Sequence, residues 1–252
     1  MATAGQDFAP YAKWLETCGV ALDHVKIIDD AHTAQAFITT DLDNNQITAF
    51  HPGAMQHAHT NNIADVKAAR IAIGIVAPDG RQGMIDHARQ FAAAGIPFIF
   101  DPGQGLPMFD GGELDTFLDQ AAWVAVNDYE FQMLQQKTGC SPQDLATRVD
   151  ALIVTRGGEG SVIHVGGRIV QIPSARPRAI IDPTGCGDAY RAGLLHGLMR
   201  GLDWELTGRL ASLLGAIKIE SRGTQNHRFT RTEFENRFAE NFGTSIEPAF
   251  IA

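Results

Sequence analysis

The sequence contains no apolar run long enough to cross a lipid bilayer. Its longest apolar runs, such as GIPFIF and ALIV, are far shorter than the roughly 20 residues that a transmembrane helix requires. We therefore expect no membrane partner. The 252 residues are 44% hydrophobic and 19% charged, a composition that is typical of a compact globular protein with a full core.

Positive charge is also scarce. The chain has 20 Lys and Arg residues against 29 Asp and Glu residues, for a formal net charge of −9, and no basic run is interleaved with aromatic residues. Because nucleic-acid binding needs a basic surface that neutralises phosphates, we expect no nucleic-acid partner. A small molecule or another protein is the expected partner.

Cysteine is rare in this chain. Cys18, Cys140 and Cys186 are odd in number and widely spaced, and no CxxC pair is present. This pattern argues against a disulfide scaffold and is typical of reduced thiols. It predicts a cytoplasmic location.

Three widespread catalytic signatures are missing from the sequence. It contains no GxxxxGK[ST], no GxGxxG after a strand and no GxSxG. Chemistry of the P-loop, Rossmann and α/β-hydrolase types is therefore unsupported.

From Ile71 onward, short apolar runs alternate with segments of helical periodicity. The runs IAIGIVAP, IPFIFDPG, WVAVN and ALIVTRGG are continuously apolar, as expected for strands covered on both faces. Strands separated by helices predict βαβ units and a mostly parallel sheet. The segments SVIHV and RIVQIP, separated by Gly166 and Gly167, predict a β-hairpin.

The first sixty residues have a different pattern. HVKIID, TAQAFITTD and QITAF alternate in hydrophobicity without intervening helices, and LDNN places Asn44 and Asn45 at a predicted tight turn. We expect a small antiparallel sheet over about residues 20–55 that packs on the α/β body as a lid. Its edge strands could pair with a second copy of the chain and form a homodimer.

The stretch IDPTGCGDAYRAG places Gly185, Cys186 and Gly187 directly before Asp188 at the start of a predicted helix. Glycines let successive N–H groups converge on an anion, and the helix N-terminus adds a partial positive charge. A carboxylate beside such a site can accept a hydroxyl proton during group transfer. Asp188 could instead only complement the helix dipole. The combination suggests phosphoryl transfer to an alcohol.

Two further polar motifs directly follow predicted buried strands. In NDYE, Asn127 and Glu130 could position Mg²⁺ through water, or they could form a helix capping box. The glycines of TRGGEG, residues 155–160, could let the backbone approach nucleotide phosphates, or they could form a simple turn. Because ligands of α/β proteins bind at the carboxyl ends of parallel strands, three motifs at successive strand ends favour a ligand site.

Taken in order, NDYE, VTRGGEG and DPTGCGDAYRAG resemble the motifs of the PfkB family, the ribokinase-like sugar and nucleoside kinases. The last motif is similar to the family's DTxGAGD signature, with Pro183 and Cys186 as variants. The segments DFAPYAKWLETCGV and FDPGQGLP are most similar to the bacterial adenosine-kinase-like branch, and the resemblance covers essentially the whole chain. It implies a ribokinase-like three-layer α/β/α fold with a mostly parallel central sheet and a small antiparallel β lid.

The resemblance also implies roles for residues at the reacting centre. Asp188 would be the base that deprotonates the substrate hydroxyl, and Gly185, Cys186 and Gly187 would form the anion hole for the migrating phosphoryl group. The residues implied to contact ATP are Asn127, Thr155, Gly157, Gly160, Ser212 and Gly215.

Metal and substrate contacts follow from the same resemblance. Glu130, with Asn127, would organise Mg²⁺ and the phosphates. Asp182 and Thr184, with backbone near Gly223, match positions where many family members hold a monovalent cation such as K⁺. The substrate contacts would be Asp188 and, from the lid, Gln35 and Phe37.

One departure from the family pattern concerns the first residues. Family members begin with a strand that bears a sugar-binding Asp and then a GG motif ending in Asn, before the segment that resembles ATAGQDFAPYAKWLE. We therefore expect a single kinase domain over residues 1–252 that is N-terminally truncated relative to the family, with a compromised sugar site.

The expected function is ATP-dependent transfer of the γ-phosphoryl group to a primary hydroxyl of a sugar or nucleoside. The alternative is a catalytically silent protein of the same fold that binds a nucleotide or sugar without turnover. The missing family elements favour the alternative, whereas Asp188 and the glycines before it favour the kinase.

Overall fold

The computed structural model describes residues 1–41, 46–66 and 71–246. The chain divides into two compact units, Met1–Ala121 and Ala122–Ala252. The expectation of a single kinase domain stays a prediction. In the part of the chain that the structure describes, no helix is both long and apolar enough to span a membrane.

The first unit combines short strands with helices and 3₁₀ segments at Gly53–Thr60, Ile63–Asp65 and Gly103–Met108. Its strands and helices are β1 (Ala2–Gly5), α1 (Ala9–Thr17), β2 (Val25–Ile28), β3 (Gln35–Thr40), β4 (Gln46–His51), β5 (Gly74–Val76), α2 (Arg81–Ala93), β6 (Phe98–Phe100) and α3 (Gly111–Gln120).

The strand HVKIID differs from its prediction. We expected it in the antiparallel lid, but β2 runs parallel to β1, with Ala2 opposite Val25 and Gly5 opposite Ile28. The physical reason is the connection, since α1 returns the chain to its starting edge and a strand after such a crossover pairs in parallel. Strand β1 consists of the small residues ATAG, which give little β signal.

The predicted lid region contains a two-stranded antiparallel sheet. Strand β3 pairs with β4, and Gln35 lies opposite His51. The predicted turn at Asn44 and Asn45 lies outside the described residues. Apolar side chains are exposed on both faces of this sheet, with Phe37 and Ile47 on one face and Ile38 and Phe50 on the other. The homodimer through the lid stays a prediction.

The second unit begins with a strand and carries the longest helices. Its elements are β7 (Trp123–Asn127), α4 (Asp128–Thr138), α5 (Pro142–Arg148), β8 (Ala151–Thr155), β9 (Ser161–Val165), β10 (Arg168–Ile172), α6 (Cys186–Met199), α7 (Trp204–Ile219) and α8 (Arg231–Phe242).

The strands of the second unit lie in the order β10-β9-β8-β7. Strands β7 and β8 are parallel, as predicted for apolar strands separated by helices. Strand β9 runs antiparallel to β8 and forms the predicted hairpin with β10. Gly166 and Gly167 at its turn have φ of 55° and 74°, the left-handed pair that a two-residue hairpin turn requires. In the first unit, β5 and β6 are also parallel.

Helices α6 and α7 pack closely because α6 presents glycine at their contact. A Cβ atom on Gly193 would lie 2.4 Å from the Cα of Ala211, and one on Gly197 would lie 2.4 Å from the Oγ1 of Thr207. Both contact residues on α7 are buried. A side chain at either glycine would therefore increase the distance between α6 and α7.

We predict that Gly193→Ala lowers the free energy of unfolding. Alanine improves helix propensity by about 1 kcal/mol, but overpacking against a backbone atom costs about 1–3 kcal/mol, and the 2.4 Å contact places this site at the upper end. We expect a net loss of about 2 kcal/mol in urea denaturation.

Gly112→Ala in α3 is the matched control, since its Cβ atom would meet only the Oδ1 of Asp110 at 3.5 Å. This variant should be neutral or slightly stabilised. Equal stabilities of the two alanine variants would contradict the close packing of α6 on α7.

Candidate functional site

Asn127 and Glu130 join the end of β7 to the start of α4. The Oδ1 atom of Asn127 accepts a hydrogen bond from the N–H of Glu130 at 2.7 Å, and the Oε2 atom of Glu130 accepts one from the N–H of Asn127 at 2.8 Å. The capping box that the sequence allowed is thus formed. The Mg²⁺ role of these residues stays a prediction.

The glycine-rich turn after β8 contains two kinds of glycine. Gly160 has φ of 89°, and a Cβ atom there would lie 2.1 Å from the carbonyl oxygen of Ile172, so only glycine fits. Gly157 also has positive φ, but a Cβ atom on Gly157 or Gly158 would meet open space. Gly160 therefore shapes the turn, whereas Gly157 and Gly158 leave its backbone uncovered for a ligand.

The start of α6 has the geometry of an anion site. Gly185, the N-cap residue, adopts the left-handed conformation with φ of 86°. The N–H of Cys186 donates to the carbonyl oxygen of Pro183 at 3.1 Å. The N–H groups of Gly187 and Asp188 lie in the first turn, where a helix supplies no acceptor for them, and the Asp188 side chain is exposed. An anion at this position would therefore meet Gly187 and Asp188 N–H groups first.

Asp182 is a hydrogen-bond centre of the loop that precedes α6. Its Oδ1 accepts from the N–H of Thr184 at 2.9 Å, and its Oδ2 accepts from the N–H of Gly223 at 2.8 Å. These two bonds are the main reason that the pKa of Asp182 falls to about 2, and the nearby ammonium of Lys218 contributes to the same shift. The carboxylate thus connects the loop before α6 to the loop after α7.

Lys218 was not singled out from the sequence. Its side chain lies at the C-terminal end of α7 and is fully buried. The Nζ atom donates to the carbonyl oxygen of Asp182 at 2.7 Å and to that of Ser221 at 3.3 Å. A lysine in an otherwise apolar helix, LASLLGAIKI, is the signal that could have found it, because lysine is almost never fully buried without a partner.

A cavity of about 580 Å³ lies in the second unit and brings several predicted residues together. Those lining it are Thr155, Gly157, Gly160, Cys186, Gly187, Ser212 and Gly215. The predicted residues of this unit that lie outside its lining are Asn127, Glu130, Asp182, Thr184, Gly185 and Asp188. Residues from the turn after β8, the start of α6 and the middle of α7 thus share one cavity.

The cavity has an apolar wall, of which the part on α7 adjoins the predicted residues Ser212 and Gly215 and the part before α6 was not singled out from the sequence. Its apolar lining comes from Ala175, Pro177, Ile180, Ala216 and Ile219, of which Ile180 is 71% exposed. Apolar surface with few polar groups suits a planar base. The segment SARPRAII, residues 174–181, carries no motif that marks it as a binding element.

Ser212 holds this wall in place. Its Oγ donates to the carbonyl oxygen of Pro173 at 3.0 Å and accepts from the N–H of Ala175 at 2.8 Å. Both bonds connect α7 to the segment after β10. Ser212 is thus at the predicted location, and its hydroxyl is used to position the wall.

Two polar side chains of α6 were also missed. Tyr190 is one of the residues that line the cavity. Its hydroxyl is hydrogen-bonded to the Oγ of Ser161 at 2.6 Å, and burial raises the pKa of Tyr190 to about 12. Arg191 is buried and donates to the carbonyl oxygen of Ala125 at 3.3 Å. A Cβ atom on Gly187 would lie 3.4 Å from its Nη1, so a guanidinium group lies close to the anion site.

The predicted lid contacts Gln35 and Phe37 lie in the first unit. The Nε2 of Gln35 donates to the Oδ2 of Asp7 at 3.4 Å. The other oxygen of Asp7 accepts from the N–H and the hydroxyl of Thr33, which lowers the pKa of Asp7. Phe37 is 64% exposed. Their roles as substrate contacts stay predictions.

The described residues offer no ready-made protein cage for a metal. In residues 1–41, 46–66 and 71–246, no group of three or more His, Cys, Asp or Glu side chains could hold a metal ion. A metal in this site would need ligands from a bound molecule as well as from the protein.

Comparisons with known proteins agree with the geometry. The model of the pfkB family carbohydrate kinases matches residues 1–231. The chain is 31% identical over 230 residues to a nucleoside kinase of Methanocaldococcus jannaschii, covering 90% of this chain and 74% of that protein.

Solved structures give the same result. The structure of Burkholderia thailandensis nucleoside kinase in complex with inosine has a TM-score of 0.95 at 50% identity, covering 98% of this chain and 82% of that one. Its complex with ADP-inosine has a TM-score of 0.94 at 50% identity, covering 97% and 76%. The ribokinase-like fold class and the mixed α/β sheet arrangement that the sequence predicts are confirmed.

We predict that Asp182→Asn destabilises the protein in a pH-dependent way. An amide keeps one acceptor but presents an NH₂ group to the second N–H, at a cost of about 1–3 kcal/mol near neutral pH. Because the folded-state pKa of about 2 lies below the ordinary value of 3.8, the carboxylate's stabilisation is present above about pH 4 and is lost as the pH falls towards 2.

Urea denaturation of both proteins over this pH range measures the difference. The gap between wild type and Asp182→Asn should narrow as the pH falls. Asp23→Asn, at an exposed position, should track the wild type throughout. A gap that does not depend on pH would contradict the assigned hydrogen bonds.

Proposed function

Because this chain belongs to the PfkB family of carbohydrate kinases, we propose that it transfers the γ-phosphoryl group of ATP to a primary hydroxyl of a nucleoside such as inosine. The observation that carries the proposal is the position of Asp188. It follows Gly187, which lines the cavity, in the first turn of α6. The relatives named for nucleosides, one of them in complexes with inosine and with ADP-inosine, support this acceptor class.

Asp188 is the proposed general base. Its exposed carboxylate can reach a bound hydroxyl and accept its proton as the oxygen attacks the γ-phosphorus. The proton then resides on the Asp188 carboxyl group, and ADP leaves as the phosphoryl group moves to the nucleoside oxygen.

The backbone at the start of α6 stabilises the negative charge on the phosphoryl group in transfer. The left-handed conformation of Gly185 turns the chain so that the N–H groups of Gly187 and Asp188 point out of the helix end. The helix dipole adds a partial positive charge at the same place. The N–H of Cys186 already donates to Pro183, so its part in the anion hole is the weaker one.

The cavity would hold the base and the other phosphates of ATP. Gly157 and Gly158 expose backbone to which the phosphates can bind. The wall formed by Ala175, Ile180 and Ala216 provides apolar surface for the base. ATP thus spans the cavity, with its base against this wall and its γ-phosphate at α6.

Mg²⁺ completes the proposed site. Glu130 is the proposed carboxylate ligand, and it is already held by the capping box. A single carboxylate suits Mg²⁺, which keeps several waters and takes its remaining ligands from nucleotide phosphates. When bound, the ion neutralises charge on those phosphates. The cytoplasmic location inferred from cysteine usage stays a prediction.

We predict that Asp188→Asn abolishes most of the phosphotransfer. Loss of a general base lowers kcat by about 10²–10⁴-fold, while ATP binding measured by calorimetry should be unchanged because Asp188 lies outside the cavity lining. The assay follows formation of ADP with inosine as the acceptor.

Two outcomes would change this view. Turnover retained by Asp188→Asn would remove Asp188 from the role of base. Binding of ATP and inosine by the wild type without any product would favour the alternative, a silent binding protein of the same fold.

We predict that Ile180→Ala raises the KM for ATP. Removing part of an apolar wall should cost about 1 kcal/mol of binding, or about five-fold in KM, with little change in kcat. Ile169→Ala on β10 is the matched control, since Ile169 is 59% exposed and lies outside the cavity. An unchanged KM for ATP in Ile180→Ala would exclude this wall from the nucleotide site.

A further inference from the structure

The ammonium group of Lys218 is buried beside the loop that leads into the anion site. The side chain has no exposed surface, and removal of an ammonium group from water is costly unless it is paired and hydrogen-bonded. Its location at the last turn of α7, next to the loop before α6, therefore needs a physical explanation.

The partners of this ammonium group are oxygen atoms of the backbone. Nζ donates to the carbonyl oxygen of Asp182 at 2.7 Å and to that of Ser221 at 3.3 Å. The carboxylate of the same residue, Asp182, is close enough to this ammonium group for an electrostatic interaction. Backbone carbonyls with one carboxylate are the ligands that a monovalent metal cation would use, and the lysine ammonium is a compact single charge.

A purely helical role does not explain this arrangement. Lysine near a helix C-terminus often hydrogen-bonds the last carbonyls, and the bond to Ser221, three residues on, fits that role. The shorter bond, however, reaches Asp182, which is 36 residues earlier in the chain. Lys218 therefore fixes the loop before α6 as well as the end of its own helix.

The three oxygen atoms of Asp182 already accept hydrogen bonds. Both carboxylate oxygens accept backbone N–H groups, from Thr184 and Gly223, and the carbonyl oxygen accepts from Lys218. These are the positions at which the family resemblance implies K⁺. A separate cation would have to compete with three hydrogen bonds and with a positive charge at the same oxygen atoms, so the residues present do not fit it.

We propose that the ammonium group of Lys218 takes the place of the monovalent cation, so that folding of the loop before α6, and the kinase activity that rests on the proposed function, do not depend on K⁺. A cation that is covalently part of α7 cannot dissociate. Lys218 acts as a positioning residue, since it holds the loop that presents the N–H of Gly187.

The test compares wild type, Lys218→Met and Lys13→Met in KCl and in choline chloride at equal ionic strength. Methionine keeps the length of the side chain and removes its charge, and Lys13 is an exposed lysine on α1 that serves as the control. Two quantities are measured for each protein: the Tm and the rate of ADP formation with ATP and inosine.

We expect the Tm and rate of wild type and Lys13→Met to be the same in both salts, within about two-fold for the rate. In choline, Lys218→Met should lose about 5–10 °C in Tm and about ten-fold or more in rate. K⁺ or NH₄⁺ should restore a large part of both losses in this variant, because either ion can bind to the carbonyl oxygens that the lysine has left. A lysine that only fills space would not give this rescue.

Two results would overturn the inference. One is a wild-type rate or Tm that is much higher in KCl than in choline chloride. This measurement uses the wild type alone, so it would refute the inference even if Lys218→Met does not fold. The other is a folded Lys218→Met that K⁺ does not stabilise. The Tm arm is independent of catalysis, so absence of any phosphotransfer by the wild type would refute the proposed function while the cation dependence of Tm still tests Lys218.

Discussion

The loop from Ile181 to Gly185 is held mainly by hydrogen bonds to the end of α7 and the residues that follow it. It has little regular structure of its own, and its fixed points are the two carboxylate oxygens of Asp182 and the buried ammonium of Lys218. The N–H groups of Ile181 and Asp182 both donate to the carbonyl oxygen of Ile219. Because an anion site works only when its N–H groups are held in place before the ligand arrives, the proposed chemistry depends on these bonds.

The local sequence was sufficient to predict those elements that are determined by interactions between residues close in the chain. The buried strands β7 and β8 follow from runs of apolar residues, and the hairpin turn follows from Gly166 and Gly167. The same is true of the start of α6, where Gly185 and Asp188 are close in the chain and their conformations follow from the residue types. The motif residues therefore lie at the ends of the strands and helices where the sequence predicts them, while their roles stay predictions.

The features that could not be predicted from the sequence depend on contacts between residues that are far apart in the chain. The direction of β2 depends on pairing with β1, whose small residues carry no strand signal. Lys218 owes its role to a carbonyl group 36 residues away. Ile180 and Ala216 line one cavity because several hydrogen bonds, among them those of Ser212, tie the segment after β10 to α7. Contacts of this kind cannot be predicted from the spacing of residues in the sequence.

The capping box of Asn127 and Glu130 shows that a structural and a catalytic interpretation of one motif need not compete. The two hydrogen bonds fix both side chains at the end of β7, and a carboxylate that is already immobilised loses little conformational entropy when it engages a metal. In the proposed role of Glu130, the same pair of bonds stabilises the start of α4 and preorganises the carboxylate.

Helix α7 also fixes the distance between two parts of the site. Ser212 anchors the apolar wall of the cavity, and Lys218 anchors the loop before α6. The anchors are 218 − 212 = 6 residues apart, which corresponds to roughly 9 Å along a helix that rises about 1.5 Å per residue. A helix is stiff along its axis, so this distance cannot adjust to the ligand. The helix therefore fixes the separation between the apolar wall of the cavity and the loop before α6.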